Sequence, residues 1–126
     1  MSKRRANPEQ DIHRAVVTHL KMRPVTNLVW FHVGQSNYGK NSKGIAIQAA
    51  INKGLGVRKG VSDLILLHAG LFYALELKAP GKTPTEEQYA FLGDVDAAGG
   101  FSAWAAGLDP AIRILEAWGL LKGKAS

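Results

Sequence analysis

The chain contains no cysteine, which excludes disulfide bonds, thiolate zinc sites and cysteine nucleophiles. It also lacks any apolar run near the roughly 18 residues of a membrane-spanning helix, and no hydrophobic signal-peptide segment follows Met1. Of its 126 residues, 46% are hydrophobic, which is enough for one globular domain with its own core. We therefore expect a cytoplasmic protein that does not associate with membranes.

Acidic residues are scarce in the first half of the chain. Residues 1–59 carry eleven Lys and Arg against two acids, whereas residues 60–126 carry five against eight, and the net charge is +6. A basic half joined to an acidic half suggests a polyanionic partner such as DNA, with some of the acids gathered around a metal. A charge bias that serves solubility alone is the alternative explanation.

The residue pattern predicts helices and strands in the order α-β-(α)-β-β-α-β-α. Asn7-Pro8-Glu9 is typical of a helix start, and Pro24 closes that first helix. Strands are predicted over 28–33, over 64–67, from 71 until Pro80 and over 101–106, and further helices over 45–52, 85–98 and 110–118. This order fits an α/β fold in which helices flank a mixed four-stranded sheet. We expect a single domain over residues 8–120, with a flexible basic arm before it (1–7) and a tail after it (121–126).

Two acids and a lysine lie on the predicted hairpin. If Ala69-Gly70 forms a two-residue turn, Asp63 lies directly opposite Glu76, with about 5 Å between the Cβ atoms. Lys78 then shares a face with Glu76, because side chains along a strand alternate with a period of two. A three-residue turn through His68 would shift this register by one position and would need a bulge to restore it.

Two like charges placed opposite one another destabilise a hairpin, and a divalent cation between them would explain their presence. Mg²⁺ prefers carboxylate oxygens, and a neighbouring ammonium can hold a water and stabilise negative charge at phosphorus. Asp63, Glu76 and Lys78 therefore predict a metal-dependent phosphodiesterase. A strand edge with solvated charges is the alternative.

Four segments together resemble the PD-(D/E)XK nuclease superfamily and, more narrowly, its VRR-NUC branch, the virus-type replication-repair nucleases. They are Glu9, Gly60-Val-Ser-Asp63, Glu76-Leu-Lys78 and Thr85-Glu-Glu-Gln88, and the resemblance covers roughly residues 8 to 107. Ser-Asp stands where the superfamily pattern has Pro-Asp. The resemblance implies a restriction-endonuclease-like core. Small stand-alone members of this kind resemble Holliday-junction resolvases, which act as homodimers on branched DNA with Mg²⁺ or Mn²⁺.

The resemblance also implies roles for individual residues. It implies four metal ligands, which are Asp63, Glu76, Glu9 and the main-chain carbonyl of Leu77. Lys78 would position the attacking water, and Gln88 would orient Lys78 or a phosphate. Two of these positions also have a structural explanation, since Glu9 in a first helical turn offsets the helix dipole and Gln88 completes a capping box with Thr85.

Basic residues before the hairpin and in a glycine-rich loop are the candidates for contact with nucleic acid. They are Arg58, Lys59, Lys40 and Lys43, with solvated loop charge as the alternative.

Together with the resemblance, the sequence indicates a Mg²⁺-dependent endodeoxyribonuclease that is selective for branched DNA such as four-way junctions. This is compatible with a phage gene acting in a bacterial host. A sequence-specific restriction-type endonuclease and a non-catalytic nucleic-acid-binding module are the two alternatives.

The four histidines show no spacing that is typical of a metal site. His13 and His19 are six residues apart on one helix, and His32 and His68 are single histidines on strands. We therefore expect each of them to be either solvent-facing or hydrogen-bonded within the fold.

Overall fold

A mixed four-stranded sheet organises the computed structural model, which describes residues 7–34, 47 and 50–123. The strands are β1 (Val29–His32), β2 (Leu64–His68), β3 (Leu71–Lys78) and β4 (Phe101–Ala106), and they lie side by side in chain order. β1 and β3 each run antiparallel to β2, whereas β3 and β4 are parallel. The predicted α/β fold with a mixed sheet of four strands is confirmed.

The helices are α1 (Pro8–Met22), α2 (Glu86–Ala97) and α3 (Leu108–Ala117), and residues 50–54 are also helical. α1 begins as predicted, because the Asn7 side chain accepts a hydrogen bond from the Gln10 amide at 3.1 Å. α3 starts two residues earlier than predicted, with Pro110 inside its first turn, where a missing N–H costs no intrahelical bond. Within the described part of the chain, none of the helices is long and apolar enough to cross a membrane.

The two faces of the sheet are covered by different helices. α1 and α3 contribute Val16, Leu20 and Leu115 to the larger core cluster, together with Leu64 and Leu66 of β2. α2 covers the other face with a smaller cluster, whose buried members are Ile65, Ala74, Leu92 and Val95. Successive strand residues point to opposite faces, so Glu76 and Lys78 lie on the α2 face with Ala74.

The β2–β3 hairpin has the predicted two-residue turn. Ala69 and Gly70 both have positive φ angles, of 51° and 79°, as a type I′ turn requires. His68 therefore pairs with Leu71, and the register continues to Leu64 opposite Leu75. The next position along this register places Asp63 opposite Glu76, so the predicted register of the hairpin is confirmed.

Arg23 joins the end of α1 to the last described residues of the chain. Its guanidinium donates to Glu116 Oε2 at 2.8 Å and to the carbonyls of Lys122 and Gly123 at 2.9 and 3.0 Å. The Lys122 amide donates back to the Arg23 carbonyl at 2.7 Å, and Leu121 is buried. Residues 121–123, which follow the predicted domain boundary at 120, thus pack against the end of α1.

Ala69→Asn should stabilise the protein by about 1 kcal/mol, because asparagine tolerates the left-handed conformation that alanine adopts there at a cost. Ala69 is exposed, so the substitution changes no core contact. The midpoint of urea denaturation measures the effect. Ala69→Val at the same position should lower the midpoint, since a β-branched residue is poorly tolerated at positive φ.

Candidate active site

Asp63 lies immediately before β2, and the ends of two other strands hold it in place. Its Oδ2 accepts a hydrogen bond from the Leu77 amide of β3 at 2.8 Å. Its carbonyl oxygen accepts from the Val33 amide at 2.9 Å and lies 2.9 Å from Nδ1 of His32. These contacts fix the Asp63 carboxylate at the end of the sheet where β1 and β3 finish and β2 begins. It lies there between the face that α1 covers and the face that α2 covers.

Glu76 is a buried carboxyl group with one oxygen paired and one unpaired. Only 3% of the residue is exposed. Its Oε2 accepts from Gln88 Nε2 at 2.9 Å and lies 3.6 Å from Lys78 Nζ. Its Oε1 is buried and has no hydrogen-bond partner among the residues that the structure describes. A buried oxygen without a donor is costly, and a bound cation would remove that cost.

The ionisation of Glu76 reflects this environment. Burial raises the pKa of Glu76 from 4.5 to about 8, and the negative charge of Asp63 acts in the same direction. The Lys78 ammonium opposes both effects only in part. Without a cation, Glu76 therefore holds a proton near neutral pH, and a divalent ion that binds this oxygen must displace that proton.

Gln88 connects Glu76 to the first turn of α2. The predicted capping box is confirmed, since the Thr85 hydroxyl accepts from the Gln88 amide at 3.2 Å and Gln88 Oε1 accepts from the Thr85 amide at 2.8 Å. The other end of the same side-chain amide donates to Glu76. Gln88 thus contacts the Glu76 carboxylate, while the implied role of orienting Lys78 or a phosphate stays a prediction.

Gly60 allows the chain before β2 to pack directly against that first turn. It has a φ angle of +82°, and a Cβ atom placed on it would lie 2.5 Å from the Glu87 carbonyl oxygen and 2.8 Å from the Gln88 amide nitrogen. Sequence reasoning gave this glycine no role of its own, although it begins one of the four segments.

Glu9 and Asp63 both border a cleft of about 290 Å³ between α1 and the strand ends. The side chains and backbone around this cleft belong to Asn7, Glu9, Gln10, His13, His32, Asp63 and Leu77. The fold therefore brings Glu9 to the same cleft as two of the other three predicted metal ligands, Asp63 and Leu77.

His13 and His32 meet in that cleft. His32 is exposed and hydrogen-bonded, as expected, whereas its contact with His13 and its place beside Asp63 were not predicted. Their ring centroids are 4.2 Å apart in an edge-on contact. One ligand atom each from His13, His32 and Asp63 all lie within 4.8 Å of one another. Burial and the nearby His32 ring lower the pKa of His13, which keeps its imidazole neutral at pH 7. Their spacing along the chain gave no sign of this contact, because it depends on the packing of α1 against the sheet.

Arg58 and Lys59, two of the predicted nucleic-acid contacts, do not line this cleft. Arg58 is exposed, forms an ion pair with Asp94 at 2.6 Å and lies 5.2 Å from the ring centroid of Phe91. Lys59 is exposed and borders a separate cleft with Lys53. Lys40 and Lys43 lie outside the residues that the structure describes.

Comparison with known proteins identifies the fold. No protein-family model and no curated protein matches the chain. Solved structures do match it, and one of them is titled "VRR_NUC domain protein". The two superpose with a TM-score of 0.69 at 18% sequence identity, over 91% of this chain and 90% of the other. The chain therefore has the restriction-endonuclease-like fold that its motifs resemble.

In metal-free buffer, stability should fall as the pH rises from about 4.5 to about 8, because folded Glu76 keeps a proton that the unfolded chain has released. The contribution of Glu76 to the free energy of unfolding falls by at most about 1.4 kcal/mol per pH unit. Denaturant unfolding with a chelator present, for wild type and Glu76→Gln, measures it. The stability of wild type relative to Glu76→Gln should fall as the pH rises across this window, and parallel stability curves would contradict the assignment.

Gly60→Ala should destabilise the protein by about 2 kcal/mol or more, because the added methyl group meets the backbone of α2 in addition to the strain of positive φ. Gly81→Ala is a matched control, since Gly81 has a φ angle of +85° and nothing within 4 Å of the added Cβ. Thermal unfolding of both variants isolates the steric part. Equal losses in the two variants would show that the close approach of Gly60 to α2 carries no cost.

Proposed function

We propose that this chain is a metal-dependent endonuclease that hydrolyses phosphodiester bonds in DNA. One observation carries the proposal. In a fold shared with a VRR_NUC domain protein, Asp63 and the buried Glu76 are neighbours, one oxygen of Glu76 has no partner among the described residues, and Lys78 lies beside it. A protein that only binds nucleic acid gains nothing from burying a carboxylate in this way.

The residues suit a hard divalent cation. Asp63, Glu76, Glu9 and the carbonyl of Leu77 would supply oxygen ligands only, which favour Mg²⁺ or Mn²⁺. A bound cation would polarise a phosphoryl oxygen of the substrate and neutralise charge that develops there. The buried Oε1 of Glu76 supports a bound cation most directly, because it has no hydrogen-bond partner among the described residues.

In this proposal Lys78 positions the attacking water. Its side chain is 12% exposed and its Nζ lies 3.6 Å from Glu76 Oε2, so its ammonium is held at the rim of the carboxylate. From there it can donate a hydrogen bond to a water and to a phosphate oxygen that gains charge in the transition state. Gln88 Nε2 donates a hydrogen bond to Oε2 of Glu76, and this bond would hold the carboxylate in one orientation during the reaction.

We propose branched DNA as the substrate and a homodimer as the active form. The excess of positive charge in residues 1–59 supports a polyanionic substrate, and Arg58 and Lys59 are exposed for such contacts. Two copies related by a twofold axis would present two such sites to the paired strands of a symmetric junction.

Lys78→Ala should lower the rate of cleavage by about 10²-fold or more, because a donor aimed at the transition state is lost. Labelled four-way junction, flap and linear duplex substrates with Mg²⁺ or Mn²⁺ measure cleavage, and binding is measured with Ca²⁺. Binding should stay close to wild type. Lys82→Ala is the matched control, since it removes one exposed positive charge nearby and should leave cleavage unchanged.

Each contrary outcome has a distinct meaning. Cleavage by Lys78→Ala at the wild-type rate would overturn the role of Lys78. Wild-type protein that binds every substrate and cleaves none would identify a binding module instead. Cleavage of the linear duplex at one fixed sequence would identify a restriction-type enzyme.

A further inference from the structure

His13 and His32 have no part in the nuclease centre proposed above, yet they border the same cleft as Asp63. They come from α1 and β1, whose packing brings the two rings to a centroid distance of 4.2 Å. Together with Asp63 they offer two imidazole nitrogens and one carboxylate oxygen within 4.8 Å of one another. This donor set differs in kind from the oxygen-only set around Glu76.

The tautomer of His32 is fixed by the backbone. Its Nδ1 lies 2.9 Å from the carbonyl oxygen of Asp63, and a carbonyl oxygen can only accept a hydrogen bond. Nδ1 therefore carries the proton and donates, which leaves the lone pair of Nε2 free. A histidine that ligates a metal through one nitrogen commonly donates from the other to a backbone carbonyl, so His32 already has the outer contact of a ligand.

His13 is placed on the same side of α1 as Glu9, four residues further along the helix. It is half-buried, while His32 is exposed, so the pair lies at the wall of the cleft and not inside the core. The cleft of about 290 Å³ leaves space beside the three side chains for water or a phosphate oxygen as further ligands.

We propose that His13, His32 and Asp63 form a second cation site, selective for a borderline transition metal such as Zn²⁺ or Co²⁺. Two imidazoles and one carboxylate match the three-ligand sets that hold Zn²⁺ with an open position, whereas Mg²⁺ prefers oxygen donors. The site shares Asp63 with the proposed nuclease centre, and it stands on its own geometry whether or not the chain cleaves DNA.

Titration of the metal-free full-length chain, without a polyhistidine tag, tests this site. Zn²⁺ binding is followed by calorimetry, and Co²⁺ binding by its visible absorption, which is intense only when four or five ligands surround the ion. We expect one Zn²⁺ per chain, retained in a large excess of Mg²⁺. His13→Ala and His32→Ala should each weaken Zn²⁺ binding by about tenfold or more, a loss typical of damaged metal sites.

Two control variants separate this site from its surroundings. His68→Ala removes a histidine of β2 that does not belong to the cluster, and Glu76→Gln alters only the proposed nuclease centre, so both should bind Zn²⁺ like wild type. Loss of Zn²⁺ binding in Glu76→Gln but not in the His13 and His32 variants would overturn the proposal. Displacement of Zn²⁺ by Mg²⁺ at comparable concentrations would do the same.

Imidazole nitrogen chemical shifts of the wild-type protein provide a measurement that needs no variant to fold. Zn²⁺ should shift Nε2 of His32 and leave its Nδ1 protonated, and it should also shift one nitrogen of His13. Unshifted nitrogens in both rings at saturating Zn²⁺ would overturn the site. Because none of these measurements uses cleavage, the nuclease proposal and the second site can fail independently.

Discussion

The hydrogen bond from the Leu77 amide to the Asp63 carboxylate is the contact on which the rest of the site depends. It carries the β2–β3 ladder one position beyond the last strand pair and fixes a negative charge opposite Glu76. The same residue binds β1 through its carbonyl oxygen. Asp63, which directly precedes β2, is thus bonded to residues at the ends of β1 and β3. Backbone geometry therefore holds the two acids together although two negative charges there would repel one another.

The repulsion is balanced by the surroundings of Glu76. Its burial and its neighbour Asp63 favour the protonated form, while Lys78 and Gln88 are placed to support the charged one. A carboxyl group with this balance near neutral pH can lose its proton to solvent when a cation binds, without a large rearrangement. Such a balance is typical of functional sites and is unnecessary in a hairpin that only fills a core.

The sequence predicted the fold and the hairpin because these depend on local rules. Apolar runs rich in branched and aromatic residues indicate the strands, and Ala69-Gly70 is short enough to set the register between Asp63 and Glu76. The contact between His13 and His32 could not be predicted, since it depends on how Val16 and Leu20 seat α1 on the sheet. The ion pair of Arg58 with Asp94 and the approach of Gly60 to α2 likewise arise from tertiary packing. The spacing of residues along the sequence does not indicate such contacts.

The side-chain amide of Gln88 links the start of α2 to the carboxyl group of Glu76. One end closes the capping box of α2, and the other holds the carboxylate of Glu76. When Glu76 loses its proton, its bond to Gln88 becomes charge-assisted and stronger, and this ties the first turn of α2 more firmly to β3. By thermodynamic reciprocity, a substitution that loosens the start of this helix would also weaken the binding of the proposed cation at Glu76. The order of an exposed helical turn would then be part of the affinity of the buried site.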